Sequence, residues 1–450
     1  MWYMCKDRHL VAEEFNQYFS SVGRNTAKEA MRLADVHNGN ILSNPTPIPI
    51  IVVAVNQFNL RPVSSATVRA IIISMPSNKS PGPDKINIRV IKDCLHVILE
   101  PLTSIINRSL TTSEFPDAWK IAELIPLLKE GDHEVPSNNQ PLSLLNVASN
   151  VCERVVLDQF SCYLMENNRL SLRQSGNRKK HSTEILNISV SDKILEAMDK
   201  KKLSALILLD LSKAFDSVSH TILLQKLSRV GASPDMVNWF CSYLSRRSQY
   251  VRIGSAVSSL LPITHCVPQG AILSPLLFSI YVNDLPQAPQ TSNLDSYVDD
   301  SKVLLYFLIK DLDQATINLE QDLARVANWC STNQLLPNSS KTKFILIGTQ
   351  QLLQRLPKEM SLTFLGEVIK PVTSASDLGV TLDTHLTFDS HITKVVSSCM
   401  SKLCQINGVK NSFDHKTLLL IISSLVMSKL LYCSLVWANT SSKNIEKLQK

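Results

Sequence analysis

Tyr297-Val298-Asp299-Asp300 is the stretch on which the reading of this chain turns. An aromatic and a β-branched residue precede two adjacent acids, and Lys302-Val303-Leu304-Leu305-Tyr306-Phe307 continues as an apolar run. With the polar turn from Gln290 to Ser296 before it, the pattern predicts a β-hairpin with carboxylates at its tip. Neighbouring aspartates repel each other unless a cation neutralises them. Upstream, Leu203-Ser204-Ala205-Leu206-Ile207-Leu208-Leu209 reads as a buried strand that ends on a third acid, Asp210. If the two strands lie side by side, Asp210 and Asp299 can bridge a pair of hard divalent ions through oxygen ligands. Such a site suits in-line phosphoryl transfer. An isolated Asp-Asp pair is also what a solvated turn displays, so the rest of the chain has to decide.

Three stretches occur in order: Asp210-Leu-Ser-Lys-Ala-Phe215-Asp216, then Val267-Pro268-Gln269-Gly270-Ala-Ile-Leu-Ser-Pro275, then Tyr297-Val298-Asp299-Asp300. Together they resemble a reverse transcriptase, and more narrowly the polymerase region of LINE-type (non-LTR, jockey-like) retrotransposons. The resemblance runs from about residue 10 to residue 450. It implies an α+β right-hand polymerase: fingers, a palm with a small antiparallel sheet, and a helical thumb. It also implies RNA-templated addition of deoxynucleotides to a primer 3′-hydroxyl.

The same resemblance distributes roles. Asp210, Asp299 and Asp300 would be catalytic and hold two Mg²⁺ ions, with Mn²⁺ a possible substitute. Phe215 would act as a steric gate against the ribose 2′-hydroxyl. Lys129, Gln269 and Gly270 would lie at the nucleotide, and Lys341 beside the pyrophosphate. Arg178, Lys179, Lys180 and His181 would face the template, and Gly379 would sit in the primer-grip hairpin. The implied partners are an RNA template, a DNA primer or target, and dNTPs. On their own chemistry, Lys129 and Lys341 also read as solvated turn lysines, and Arg178 with Lys179 as a solvated loop. Asp216 reads as a helix N-cap, and Asn283 and Asp284 as helix-end caps.

Five positions depart from the family pattern. Lys85, Lys180 and Cys266 stand where it carries glycine, Gln140 where it carries arginine, and Asn177 where it carries phenylalanine. A neutral amide cannot reproduce a guanidinium fork on phosphate. A second reading follows: a decayed, catalytically inactive fragment that only binds nucleic acid.

Composition sets the outer bounds. The 450 residues are 44% hydrophobic, enough for two or three domains with ample core. A net charge of +7 permits a nucleic-acid partner, and basic clusters at Arg178 to His181, Lys200 to Lys202 and Arg246-Arg247 can neutralise phosphates. The ten cysteines are scattered with no zinc spacing, the pattern of buried free thiols in a reducing compartment. The N-terminus lacks a signal-peptide core. The apolar segment 417–437 is interrupted by Lys429 and serines, and is expected as a buried helix rather than a membrane span. These features place the protein inside the cell, nuclear or cytoplasmic, and not secreted. Helical periodicity is expected over 8–36, 63–75, 184–202, 221–247 and 312–329, with a proline-spaced linker at Ser43 to Pro49. The expected division is an N-terminal extension and linker (1–62), fingers with part of the palm (63–202), palm (203–383) and thumb (384–450). No endonuclease sequence precedes the polymerase stretch, and family members continue beyond Lys450, so a fragment of a longer element protein is expected. Nothing in the sequence sets an oligomeric state.

Overall fold

A computed structural model describes residues 7–38, 56–178 and 180–449. The predicted linker at Ser43 to Pro49 and the predicted template contact Lys179 lie outside the described residues. Helices and mainly antiparallel sheets alternate along the chain, which is the expected α+β class. The chain forms two compact units, each built from several segments.

The first unit takes the described residues of Met1–Leu172 together with Leu211–Leu285 and Ala327–Pro337. Helix Arg8–Asn38 forms where the apolar periodicity requires it. Val11, Phe15, Phe19 and Val22 of the predicted stripe are buried, whereas Leu10 is 66% exposed. The stripe packs on Ala122, Leu124 and Val251. Those residues belong to a sheet in which Ile121–Leu128 pairs antiparallel with Asn139–Leu144 and parallel with Arg247–Ile253. Helix Ser65–Ser74 starts at Ser64, whose hydroxyl accepts the Thr67 N–H.

Two expectations need correcting here. The single helix expected over 221–247 is two helices, His220–Arg229 and Pro234–Leu244. Gly231 breaks the run with φ +103°, and Ser233 caps the second helix by accepting the Met236 N–H. Asn283 and Asp284 do not cap helix Ser274–Tyr281, whose C-cap is Val282. Asn283 accepts the Ser171 N–H at 2.7 Å, and Asp284 accepts from buried Lys226 at 2.6 Å. Both are struts between distant segments.

The second unit comprises Arg173–Asp210, Pro286–Val326 and Asn338–Lys450. Its centre is an antiparallel sheet in the order Lys343–Ile347, Leu203–Leu209, Asp300–Phe307, Asn293–Tyr297. Leu203–Leu209 is buried on both faces, as its unbroken apolar run predicts. Helix Thr183–Asp199, capped by Ser182, covers one face, where Leu186, Val190 and Ile194 meet Leu206, Leu304 and Ile345. The expected polar turn 290–296 is shorter than expected, because Asn293–Tyr297 is an edge strand. Its inward acid, Asp295, lies 3.5 Å from Arg173 and 3.4 Å from Lys193.

The true turn, 290–292, is organised by Asp322 on helix Leu312–Thr332. Its carboxylate accepts the N–H groups of Gln290, Thr291 and Ser292 and the hydroxyls of Thr291 and Ser292, all within 3.0 Å. Burial works against the charge, but these donors hold the carboxyl down at about 2. A folded value below the unfolded ~3.9 means that Asp322 stabilises the fold above about pH 4 and loses that contribution as pH falls toward 2. Asp322→Asn is therefore expected to lower unfolding free energy by about 2–3 kcal/mol at pH 7 and by progressively less below pH 4. Urea titrations at several pH values check this.

The segment 417–437 also differs from expectation. It is not one buried helix: helix His415–Ile422 gives way to a π-helical turn, Ser423–Met427, and then to short pieces. Val426, Cys433, Val436 and Trp437 are buried, while Leu419, Leu420, Leu425, Leu431 and Leu435 are exposed. Among the described residues, no helix is long and apolar enough to cross a membrane.

Candidate active site

The hairpin at the head of the sequence reading forms with a two-residue turn, because Tyr297 pairs with Asp300 and leaves Val298 and Asp299 at the tip. Val298 has φ +60°. Two-residue hairpins usually give that first central position to glycine, asparagine or aspartate. A β-branched residue there is strained by about 1–3 kcal/mol and persists only where its surroundings over-determine it.

Register then brings the acids together. Leu209 pairs with Ser301, so Asp210, one residue on, stands across from Asp300. Both line a cavity of about 380 Å³ with Ser340, Lys341, Lys343 and Ser376. Asp300 opens onto solvent, yet burial by its surroundings, with the charges of Asp299, Asp377 and Asp210, pushes its carboxyl up to about 6 against the pull of Lys302. A carboxyl raised in this way by neighbouring acids, in a cavity whose polar lining is oxygen and ammonium groups, matches the donor chemistry of a hard divalent cation. Among the described residues, no three His, Cys, Asp or Glu side chains form a finished metal-binding group. Asp210 and Asp300 thus share the cavity, and Asp299 lies within electrostatic range of Asp300.

Lys341 is placed by an Asx-type turn. The Asn338 N–H donates to the Asp210 carbonyl at 2.9 Å, and the Asn338 side chain accepts the Lys341 N–H at 3.1 Å. Sequence reasoning missed Lys343 and Ser376. The Lys341-x-Lys343 spacing, leading into strand Lys343–Ile347, was the available signal for the first. Ser376 comes from hairpin Ser374–Asp377/Val380–Asp383, whose turn residues Leu378 and Gly379 both have positive φ, at 44° and 83°. That is the geometry of a type I′ turn, and it accounts for Gly379. A Cβ on Gly379 would lie 3.0 Å from the Tyr432 ring. Beneath the site, Lys302 is buried and donates to Asp377 at 2.5 Å and to Asn187 at 3.0 Å.

Arg178, Lys180 and His181 lie in the same unit. Arg178 donates to the Gln174 carbonyl at 3.2 Å, and the His181 ring lies 3.4 Å from the Ser175 hydroxyl. Burial, and then the Arg178 charge, lower the His181 pKa below its ordinary value. Lys180 takes φ +64° and Asn177 φ +57°.

The other predicted residues form a group in the first unit. Asp216 does not cap a helix: the N-cap position of the helix that follows is Ser219, whose side chain makes no cap bond, and the Asp216 carboxylate accepts the Gln269 side-chain N–H at 2.7 Å. The Gln269 side-chain oxygen accepts from Gln140 at 2.6 Å. The amide of Gln269 is therefore oriented from both ends, and Gln140 serves as one of its holders. Gly270 has φ +114°, and a Cβ there would lie 2.9 Å from the Ser143 carbonyl. Its freedom thus serves a close approach to strand Asn139–Leu144. Buried Glu153, which sequence reasoning missed, fixes the same loop by accepting the N–H groups of Ile272 and Leu273. Phe215 stacks on Phe278 with ring centroids 4.5 Å apart. Lys129 is exposed at the hairpin end, where its N–H donates to the Asn138 carbonyl at 2.9 Å. Cys266, at φ +86°, has its thiol pushed up to about 12 by burial and then by Asp216. Lys85 has φ +58°, and its ammonium pairs with buried Glu123.

Comparison with known proteins adds lineage to this geometry. A family model described as reverse transcriptase (RNA-dependent DNA polymerase) matches residues 128–369. The chain is 28% identical over 402 residues to the probable RNA-directed DNA polymerase from transposon BS of Drosophila melanogaster, covering 87% of this chain and 44% of that protein. It is 27% identical over 402 residues to the RNA-directed DNA polymerase from mobile element jockey of the same fly, covering 86% and 43%. A third relative is the probable RNA-directed DNA polymerase from transposon X-element, also of Drosophila melanogaster, at 27% over 399 residues, covering 87% and 43%. The chain thus spans less than half the length of these curated relatives.

Proposed function

The chain belongs to the reverse transcriptase (RNA-dependent DNA polymerase) family, and from that premise we propose that it copies an RNA template into DNA for a LINE-type retrotransposon. The observation that carries this reading is the placement of Asp210 and Asp300 on adjacent strands, in one cavity with Lys341. Asp210, Asp299 and Asp300 would hold Mg²⁺, or Mn²⁺ in its place. When bound, such ions lower the pKa of an attacking hydroxyl and neutralise charge on the leaving group. The chain's own residues supply the rest. Lys341 and Lys343 offer ammonium groups to phosphate oxygens, Gln269 presents an amide fixed by Gln140 and Asp216, and Phe215 offers an aromatic ring stacked on Phe278. Lys129, Arg178, Lys180, His181 and the Gly379 hairpin would grip primer, template and nucleotide by backbone contacts, with little base reading. In this assignment residues 63–202 supply fingers, 203–383 the palm and 384–450 the thumb, and the protein works inside the cell.

A second reading is favoured by specific observations. Lys85, Lys180 and Cys266 carry side chains at positive φ, and Gln140 lacks the charge of an arginine. A relic that folds and binds nucleic acid without catalysis would look like this. Primer extension on an RNA template with Mg²⁺ and dNTPs separates the two, since a relic binds the duplex and extends nothing. In the same assay, Phe215→Val is expected to raise rNTP incorporation relative to dNTP by at least about tenfold, a change of about 1.4 kcal/mol in discrimination. An unchanged ratio would remove Phe215 from sugar selection.

A further inference from the structure

Residues 173–176 do more than lead toward a template-facing loop. Gln174 is fully buried, and its side-chain oxygen accepts the Val298 N–H at 3.0 Å and the Gly176 N–H at 2.9 Å. Its side-chain nitrogen donates back to the Val298 carbonyl at 3.3 Å. One amide thus satisfies both backbone groups of the residue that carries the left-handed turn. Glutamine suits the task because its amide offers one acceptor and one donor, the complement of a residue's own N–H and C=O.

The backbone reinforces the grip. The Ser175 N–H donates to the Ser296 carbonyl at 2.9 Å, and the Ser296 N–H donates to the Arg173 carbonyl at 2.9 Å. Residues 173–175 therefore run alongside strand Asn293–Tyr297 up to the aspartate turn, with Gln174 bridged in parallel to Ser296. A Cβ built on Gly176 would lie 2.5 Å from Val298 Cγ2 and 2.6 Å from Val298 N. Only glycine lets the two segments meet this closely.

We propose that Gln174 and Gly176 are positioning residues that clamp the strained Val298 turn and so set the placement of Asp299 and Asp300. The proposal deepens the polymerase reading and rests on it for its catalytic consequence. Arg178 donates to the Gln174 carbonyl, so a loop that engages template is tied to the back of the turn that carries the acids.

The test uses the full chain with Gln174→Met, which keeps the buried volume and removes the amide, and Gly176→Ala, which pushes on Val298 from a different direction. Hydrogen exchange of the Val298 amide in the free protein should quicken at least about tenfold in both variants, while strand Leu203–Leu209 exchanges as in wild type. In primer extension, kcat should fall about 30- to 100-fold, with the dNTP KM and the primer–template Kd within about twofold, because a misplacement near 1 Å costs on this order. Gln174→Glu, which keeps the acceptor and loses the donor, should quicken Val298 exchange less than Gln174→Met does. Unchanged Val298 exchange overturns the clamp. Quickened exchange with unchanged kcat, or equal quickening in strand Leu203–Leu209, overturns the positioning role. If the wild type extends no primer, the polymerase reading fails while the exchange measurement still decides the clamp.

Discussion

Asp299→Asn is expected to slow primer extension at least about a thousandfold at unchanged primer–template affinity, since each 1.36 kcal/mol is tenfold and a metal contributes several kcal/mol. The amide has the shape of the carboxylate and lacks the charge that a hard cation needs. Asp210→Asn should behave alike. The stability side separates this from misfolding. Asp300 is pushed up to about 6 by burial and then by the charges of Asp299, Asp377 and Asp210. Removing one of those carboxylates relieves repulsion, so the melting temperature should hold or rise, as where active sites trade stability for function. Extension rates read beside thermal unfolding check both halves. A variant keeping more than about a tenth of the wild-type rate would take Asp299 out of the machinery.

Lys302→Met is expected to be the most damaging single change to stability near the site, at about 3–5 kcal/mol. Lys302 and Asp377 are both nearly fully buried, and Asn187 accepts from the same ammonium. Removing the lysine leaves Asp377 charged, buried and short of its cation. The double variant Lys302→Met/Asp377→Leu should recover most of the loss, because a buried pair exchanged for apolar volume is often neutral. Urea unfolding of the two singles and the double measures the coupling directly. A single-variant loss below about 1 kcal/mol would contradict the buried-pair account. Lys302 also draws Asp300 downward, so the same change should raise the pH at which Asp300 ionises.

What the sequence disclosed follows from the range over which its patterns act. Alternation and apolar runs are local, so strand Leu203–Leu209, the hairpin after Tyr297 and the stripe of helix Arg8–Asn38 were legible. The helix start at Ser64 was legible for the same reason, since a cap reads only three residues ahead. The polar contacts that set the site were not legible. Gln174 meets Val298 across 124 residues, Glu153 meets Leu273 across 120, and Gln140 meets Gln269 across 129. In a polar stretch, glutamine and aspartate look like surface, and only the partner turns them into fixtures. Asp216 shows the cost of a local reading: a cap was the nearest explanation, and its true partner lies 53 residues away. The break at Gly231 was visible as composition, but the apolar residues on both sides suggested continuity.

The side chains at Lys85, Lys180 and Cys266 carry one further meaning. All three have positive φ, at 58°, 64° and 86°, where the resemblance leads one to expect glycine. Each turn holds a side chain where glycine would be unstrained. Each such Cβ costs about 1 kcal/mol or more against a total margin of roughly 5–15 kcal/mol, and the Lys85 pairing with Glu123 offsets part of one. The result is a chain with reduced mutational tolerance. A substitution that a glycine-bearing relative absorbs without effect would carry this one closer to unfolding, and a screen of random variants should find fewer neutral positions here than in such a relative.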